Sequence, residues 1–143
     1  MENTLAGFMA QNAEKISAVK VAISSRFKDQ EGNPIKWELI PITSEQDEEL
    51  RKQCTRQVQM TGKPGVMIPR LDAERYMGLM MAECTAYPDL NDAQLQDSYR
   101  VRGADALLKT MLLPGEYANM SKKVQEINGF NLTMDERVEE AKN

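Results

Sequence analysis

The sequence predicts a mostly α-helical fold of the α+β kind, a compact bundle of short helices with one small antiparallel β-hairpin. Two observations carry this expectation. Apolar residues alternate with period two only in two short runs near the N-terminus, and from Thr43 onward the chain falls into short amphipathic stretches punctuated by caps, glycines and prolines. A length of 143 residues with 41% hydrophobic content suits a single domain, which buries roughly two thirds of its unfolded surface. The division expected is a flexible N-terminal arm over 1–16, one domain over 17–130, and a charged C-terminal helix or tail over 131–143.

The arm has weak periodicity, with room for a short helix around Leu5 to Met9. In "AVKVAISSRF" Val19, Val21, Ile23 and Phe27 alternate with polar or small residues, and in "PIKWELIPI" Ile35, Trp37 and Leu39 do the same. Each run reads as a strand with one buried face, and the intervening "KDQEGNP" supplies turn residues, so the two should pair as a hairpin. "TSEQDEELRKQCTRQV" opens on a hydroxyl cap and carries its acids early and its bases late. Asp47 precedes Arg51, and Glu48 precedes Lys52, by one helical turn, and Leu50, Cys54 and Val58 make a narrow apolar stripe. "QMTGKPGVMIPR" reads as a loop or extended connector. Its "GKPG" lacks the spacing of a phosphate-binding loop.

The helix expected over "LDAERYMGLMMAECTAY" is apolar on two sides. Ala73, Tyr76, Met77, Met80, Met81, Cys84 and Tyr87 share one broad face, and Leu71, Leu79, Ala82 and Ala86 a second. Such a helix either lies centrally in the core or shares a face with a partner. The methionines, flexible and polarizable, suit an adaptable contact with another chain's apolar helix, so Met77, Leu79, Met80 and Met81 are the candidate partner-binding residues. After Pro88, Asn91 can cap a short helix in "DAQLQDSYRV", and Gly103 breaks the pattern. "ADALLKTMLL" directs Ala104, Leu107, Leu108, Met111 and Leu112 inward until Pro114 and Gly115 stop it. "EYANMSKKVQEIN" does the same with Tyr117, Met120, Val124 and Ile127, and Gly129 stands at the C-terminal cap position. Thr133 and Glu136 have capping-box spacing for a last charged helix.

Chemistry-bearing motifs are few. With 22 acidic and 18 basic residues the chain has a formal charge of −4, which gives no general attraction to nucleic acid or anionic lipid. A helix-turn-helix over "DSYRVRGADALLK" would have only Arg100, Arg102 and Lys109 to offer a phosphate backbone, with Asp105 opposing. No stretch approaches a membrane span or a signal peptide, which places the protein in a cytoplasm. Cys54 and Cys84 lack metal-ligand spacing, and histidine is absent, which removes the commonest general base. The acids from Glu45 to Glu49 begin a hydrophilic helix, where carboxylates solvate freely. No catalytic residue, cofactor or metal site is expected, and the reading is of a non-enzymatic protein.

Three segments, "KWELIPITSEQDEELRKQCTR", "YPDLNDAQLQDSYRVRGADALLKTMLLPGEYANM" and "KVQEINGF", resemble in order and spacing the XkdN-like family of phage tail assembly chaperones of myophage-type prophages. The likeness spans about Ser17 to Phe130. It implies a small, mostly helical protein of the host cytoplasm that binds the tape measure protein, prevents its aggregation during tail morphogenesis, and is absent from the mature virion. The tail tube protein is a second implied partner, and a homo-oligomer is left open. The alternative is a minor structural protein of the tail, or a head-completion protein, retained in the particle. The family has no catalytic residues to carry over.

Tail chaperones of several phage groups are made in two lengths by programmed frameshifting, and the resemblance raises that question here. The terminal "AKN" is compatible with the codons GCA-AAA-AAC, which contain a slippery run, and equally with three ordinary residues of a helix end. Under frameshifting the segment from Thr133 to Asn143 becomes a linker to an added domain. Sequencing the codons of Ala141, Lys142 and Asn143 decides between them: a slippery run followed by an overlapping open frame is expected for the two-length reading, and its absence removes it.

Overall fold

The computed structural model describes residues 4–130. The expected C-terminal helix, its capping box at Thr133 and the linker reading lie outside the described residues. A short 3-10 turn at Ala6–Phe8 stands where the sequence allows a short helix. Residues from Thr4 to Ala18 are all exposed.

Strands β1 (Val19–Val21) and β2 (Trp37–Leu39) pair antiparallel, as expected, and the register sets Val21 opposite Trp37 and Val19 opposite Leu39. The connecting loop is tightened by Asp29, whose carboxylate accepts the backbone N–H groups of Glu31 and Asn33, each at 2.9 Å. Trp37 and Leu39 are buried, and Val21, Ile23 and Phe27 pack against the core cluster to which they belong.

Helix α1 (Ser44–Cys54) starts with a capping box. The Gln46 N–H donates to Thr43 Oγ1 at 3.1 Å and the Thr43 N–H donates to Gln46 Oε1 at 2.8 Å, which satisfies two donors the helix cannot. The predicted pairs form, Arg51 with Asp47 at 3.0 Å and Lys52 with Glu48 at 3.6 Å.

The chain then departs from expectation. Instead of continuing helical to Val58, it enters strand β3 (Thr55–Gln59), which pairs antiparallel with β4 (Met67–Leu71) in a second hairpin where the sequence suggests a plain connector. β-branched Thr55 and Val58 weaken the helix, and Gly62 and Gly65, at φ of 79° and 83°, make the turn that lets the strands meet. Pro69 is tolerated because each strand of a two-stranded ribbon has a free edge. Helix α2 (Ala73–Glu83) likewise ends before the predicted Tyr87, and β5 (Thr85–Tyr87) joins the free edge of β2, giving the order β1-β2-β5. Pro88 disfavours helical geometry at Tyr87, and the β2 edge offers its backbone groups partners. The fold is therefore a mixed α+β architecture of five α-helices and two small antiparallel sheets among the described residues. This corrects the mostly helical bundle with a single hairpin.

Three further helices complete the domain. α3 (Ala93–Ser98) is capped by Asp92, one residue beyond the expected Asn91, through an acceptor contact of 2.9 Å to the Leu95 N–H. Gly103, at φ 98°, turns the chain into α4 (Ala104–Met111). Pro114 does not stop α4, which has already ended. It occupies the first position of α5 (Pro114–Ile127), where its missing N–H costs nothing. Gly129 ends α5 as predicted, its N–H bonding Glu126 O at 3.0 Å while the Phe130 N–H bonds Gln125 O at 2.8 Å.

At the centre lies α2, packed against α1, α4, α5 and β5. Gly78 permits the closest approach, since a Cβ there would stand 3.3 Å from the Tyr117 hydroxyl and 3.6 Å from the Asp105 Cβ. Asn128, the C-cap of α5, ties the layers together. Its Oδ1 accepts the Ile42 N–H at 3.0 Å, and its amide donates to Val124 O at 2.8 Å and toward Cys84 Sγ at 3.4 Å. Tyr76 bridges α2 to α1 by donating its hydroxyl proton to Asp47.

Two expected outcomes follow from this packing. Trp37 is 1% exposed, so its fluorescence should be blue-shifted and shielded from soluble quenchers. Trp37→Ala should cost roughly 3–5 kcal/mol in chemical denaturation, a large share of a typical domain's stability. Burial, followed by the hydrogen bond to Asp47, raises the Tyr76 pKa from 10.0 to about 12. The folded chain thus holds this proton more tightly than the unfolded chain. The resulting stability is complete below the ordinary tyrosine pKa and is lost as pH rises toward about 12. Tyr76→Phe should lower stability at neutral pH by about 1 kcal/mol and flatten the decline above pH 10, read by denaturation midpoints across pH.

Candidate partner-binding surface

Neither cysteine is an exposed nucleophile. Cys54 and Cys84 are buried, and desolvation raises the pKa of both thiols, so the thiolate is disfavoured. Among the described residues no cluster of three His, Cys, Asp or Glu side chains could hold a metal, and no helix is long and apolar enough to cross a membrane. What the structure offers a partner is surface.

The four candidate residues of α2 are divided by the packing. Met80 and Met81, 1% and 0% exposed, lie in the core and present nothing to solvent in this conformation. Met77 and Leu79 are partly buried at its margin. Met77 lines an open hollow of about 400 Å³ between α2, α4 and α5, with Ala73, Tyr117 and the stem of Lys109 as its other walls and Glu74 at one side. A helical pattern identifies the apolar faces of α2 but not which neighbours cover them.

A second apolar surface is the hairpin β3–β4. Val66, Met67, Ile68 and Leu71 are exposed by 43%, 54%, 38% and 39%. The register places Val58 opposite Ile68, and the Met60 N–H bonds Val66 O at 2.7 Å beyond the strand ends. Since side chains alternate across a strand, Val58, Ile68, Met60 and Val66 run along one face of the ribbon. The same face begins at the hairpin's base with Arg56 directly opposite Arg70. Like charges facing across a ladder repel. Among the described residues neither arginine forms an ion pair.

Arg56 and Arg70 line a second hollow of about 320 Å³ with Leu71 and Asp72, and it shares Ala73 and Glu74 with the first. The two hollows form one track from the base of the hairpin to the groove beside Met77. Sequence reasoning missed this surface. The available signal was the pair of short runs "TRQVQM" and "VMIPRL" flanking a turn with two glycines.

Comparison with known proteins agrees with this fold over nearly its whole length. A sequence profile described as phage XkdN-like tail assembly chaperone protein matches residues 5–142. The chain is 37% identical over 140 residues to the phage-like element PBSX protein XkdN of Bacillus subtilis, covering 97% of this chain and 93% of that one. It is 34% identical, over the same shares of both chains, to the protein YqbN of Bacillus subtilis. The crystal structure of a protein YqbN superposes with a TM-score of 0.75 at 31% identity, over 91% of this chain and 99% of the other.

Proposed function

The chain belongs to the XkdN-like family of phage tail assembly chaperones, and on that premise we propose that it binds the tape measure protein of its phage and keeps it from aggregating while the tail is built. The family is a phage assembly family and not a known family of enzymes. The observation that carries the reading is the projecting hairpin with Val66, Met67, Ile68 and Leu71 open to solvent. Apolar side chains exposed on both faces of one ribbon, Val66 and Ile68 on the first and Met67 and Leu71 on the second, mark an interaction site. A client with long amphipathic helices needs such a surface to cover its apolar stripe, and the unbranched Met67 can adapt to varied contours. Met77 and Leu79 extend the contact onto α2, with Met80 and Met81 as the packed floor beneath them. In this role the protein acts in the host cytoplasm, hands the client to the polymerising tail tube and is absent from the finished particle.

Co-expression with the tape measure protein tests the proposal. The native chain should hold the client in the soluble fraction. The double variant M67D/I68D should lose most of that effect while its thermal midpoint moves by only a few degrees, because exposed substitutions cost little. Client aggregation beside the native chain overturns the reading, and so does recovery of the chain in purified virions at fixed stoichiometry, which would make it a structural component.

A further inference from the structure

We propose that the track from the hairpin base to the Met77 groove is the seat for one class of client segment: an amphipathic helix with an apolar stripe and carboxylates at both ends. The inference rests on the client-binding role above and names what that client must present. The floor of the track is apolar, built from Ala73, Met77 and Tyr117. Cations stand at its two extremities, Lys109 on α4 and, at the hairpin, Arg56 and Arg70, whose hollow also holds Asp72, a carboxylate already engaged in accepting the Arg75 N–H at 3.2 Å as the cap of α2. None of the three is in an ion pair among the described residues. Residues 55–71 carry Arg56, Lys63 and Arg70 and no acid, in a chain whose formal charge is −4.

The arginine pair is the more informative end. Two guanidinium groups placed directly opposite on a ladder raise the energy of the free hairpin. A carboxylate between them removes the repulsion and accepts forked hydrogen bonds, for which guanidinium geometry is suited. Glu74, on the border between the two hollows, excludes a second carboxylate from the middle of the track. The occupant is thereby specified as acid, apolar stripe, acid. Lysines at the ends of a segment would meet like charge, so the track selects against basic helices as well as for acidic ones.

Two helical peptides sharing a leucine stripe test this, one ending in glutamates and the other in lysines, with binding to the full chain read by fluorescence anisotropy. The glutamate peptide should bind at least tenfold tighter, and the advantage should shrink with salt. R56E/R70E should reverse the preference, and K109E should reduce it, with thermal midpoints confirming that both variants fold. Equal affinity for the two peptides overturns the track even where the native chain keeps the tape measure protein soluble, so this failure is distinct from failure of the chaperone role. Two further results also overturn it. A dimer in sedimentation that R56E/R70E abolishes gives the surface to a second copy. A tenfold gain in peptide affinity for D135N/E136Q/E139Q/E140Q gives it to the chain's own C-terminal carboxylates.

Discussion

The burial of one apolar face of α2 is the interaction on which the domain depends, and the neighbouring elements are arranged to cover it. Met80, Met81 and Cys84 sit at or near zero exposure. α1, α4, α5 and β5 pack against the helix that carries them. Fully burying a methionine or leucine side chain stabilises by roughly 1.5–3 kcal/mol, whereas the hydrogen bonds that accompany it contribute about 1 kcal/mol each. Apolar burial therefore decides where the elements go, and the polar contacts fix their orientation. Asn128 illustrates the second role, joining the end of α5 to Ile42 and Cys84. Gly78 illustrates a steric one, leaving room for the Tyr117 hydroxyl, which would stand a tight 3.3 Å from a Cβ there.

The hairpin β3–β4 obeys the opposite logic. It packs chiefly on itself and leaves Met67 and Ile68 in water. Exposed strand edges invite pairing with other chains, and this ribbon carries the usual deterrents: Pro69 within one strand and the cations Arg56, Lys63 and Arg70 along its length. Those residues oppose edge-to-edge aggregation while leaving apolar side chains open on both faces.

What could be read from the sequence was local. The capping residue Thr43, the one-turn pairs of α1, the corner at Gly103 and the end of α5 at Gly129 each depend on residues within a turn of one another, and each stands where expected. What escaped was decided by partners distant in the chain. Thr55 to Gln59 continues a polar helical pattern until Gly62 and Gly65 turn a matching strand back onto it. Thr85 to Tyr87 reads as the end of a helix until the free edge of β2 competes for its backbone. The division of the α2 methionines has the same origin. Met77 and Met80 share a face by periodicity, and only the neighbouring helices determine that one borders solvent while the other does not. The family resemblance was legible because it depends on ordered segments and not on which surface is covered.

The hairpin is attached without a linker. β3 begins at Thr55 directly after Cys54 closes α1, and only Asp72 stands between Leu71, where β4 ends, and Ala73, where α2 opens. The Asp72 N–H bonds Cys54 O at 2.8 Å across that junction. The ribbon is thus a lever whose two roots are the ends of core helices, and it has no hinge of its own. Leaning it in any direction means turning α1 or α2 against the packed interior. A load on the lever is borne by the core, and the same coupling run backwards means that whatever grips the lever in its native orientation holds the whole domain folded, by mass action on the native state alone.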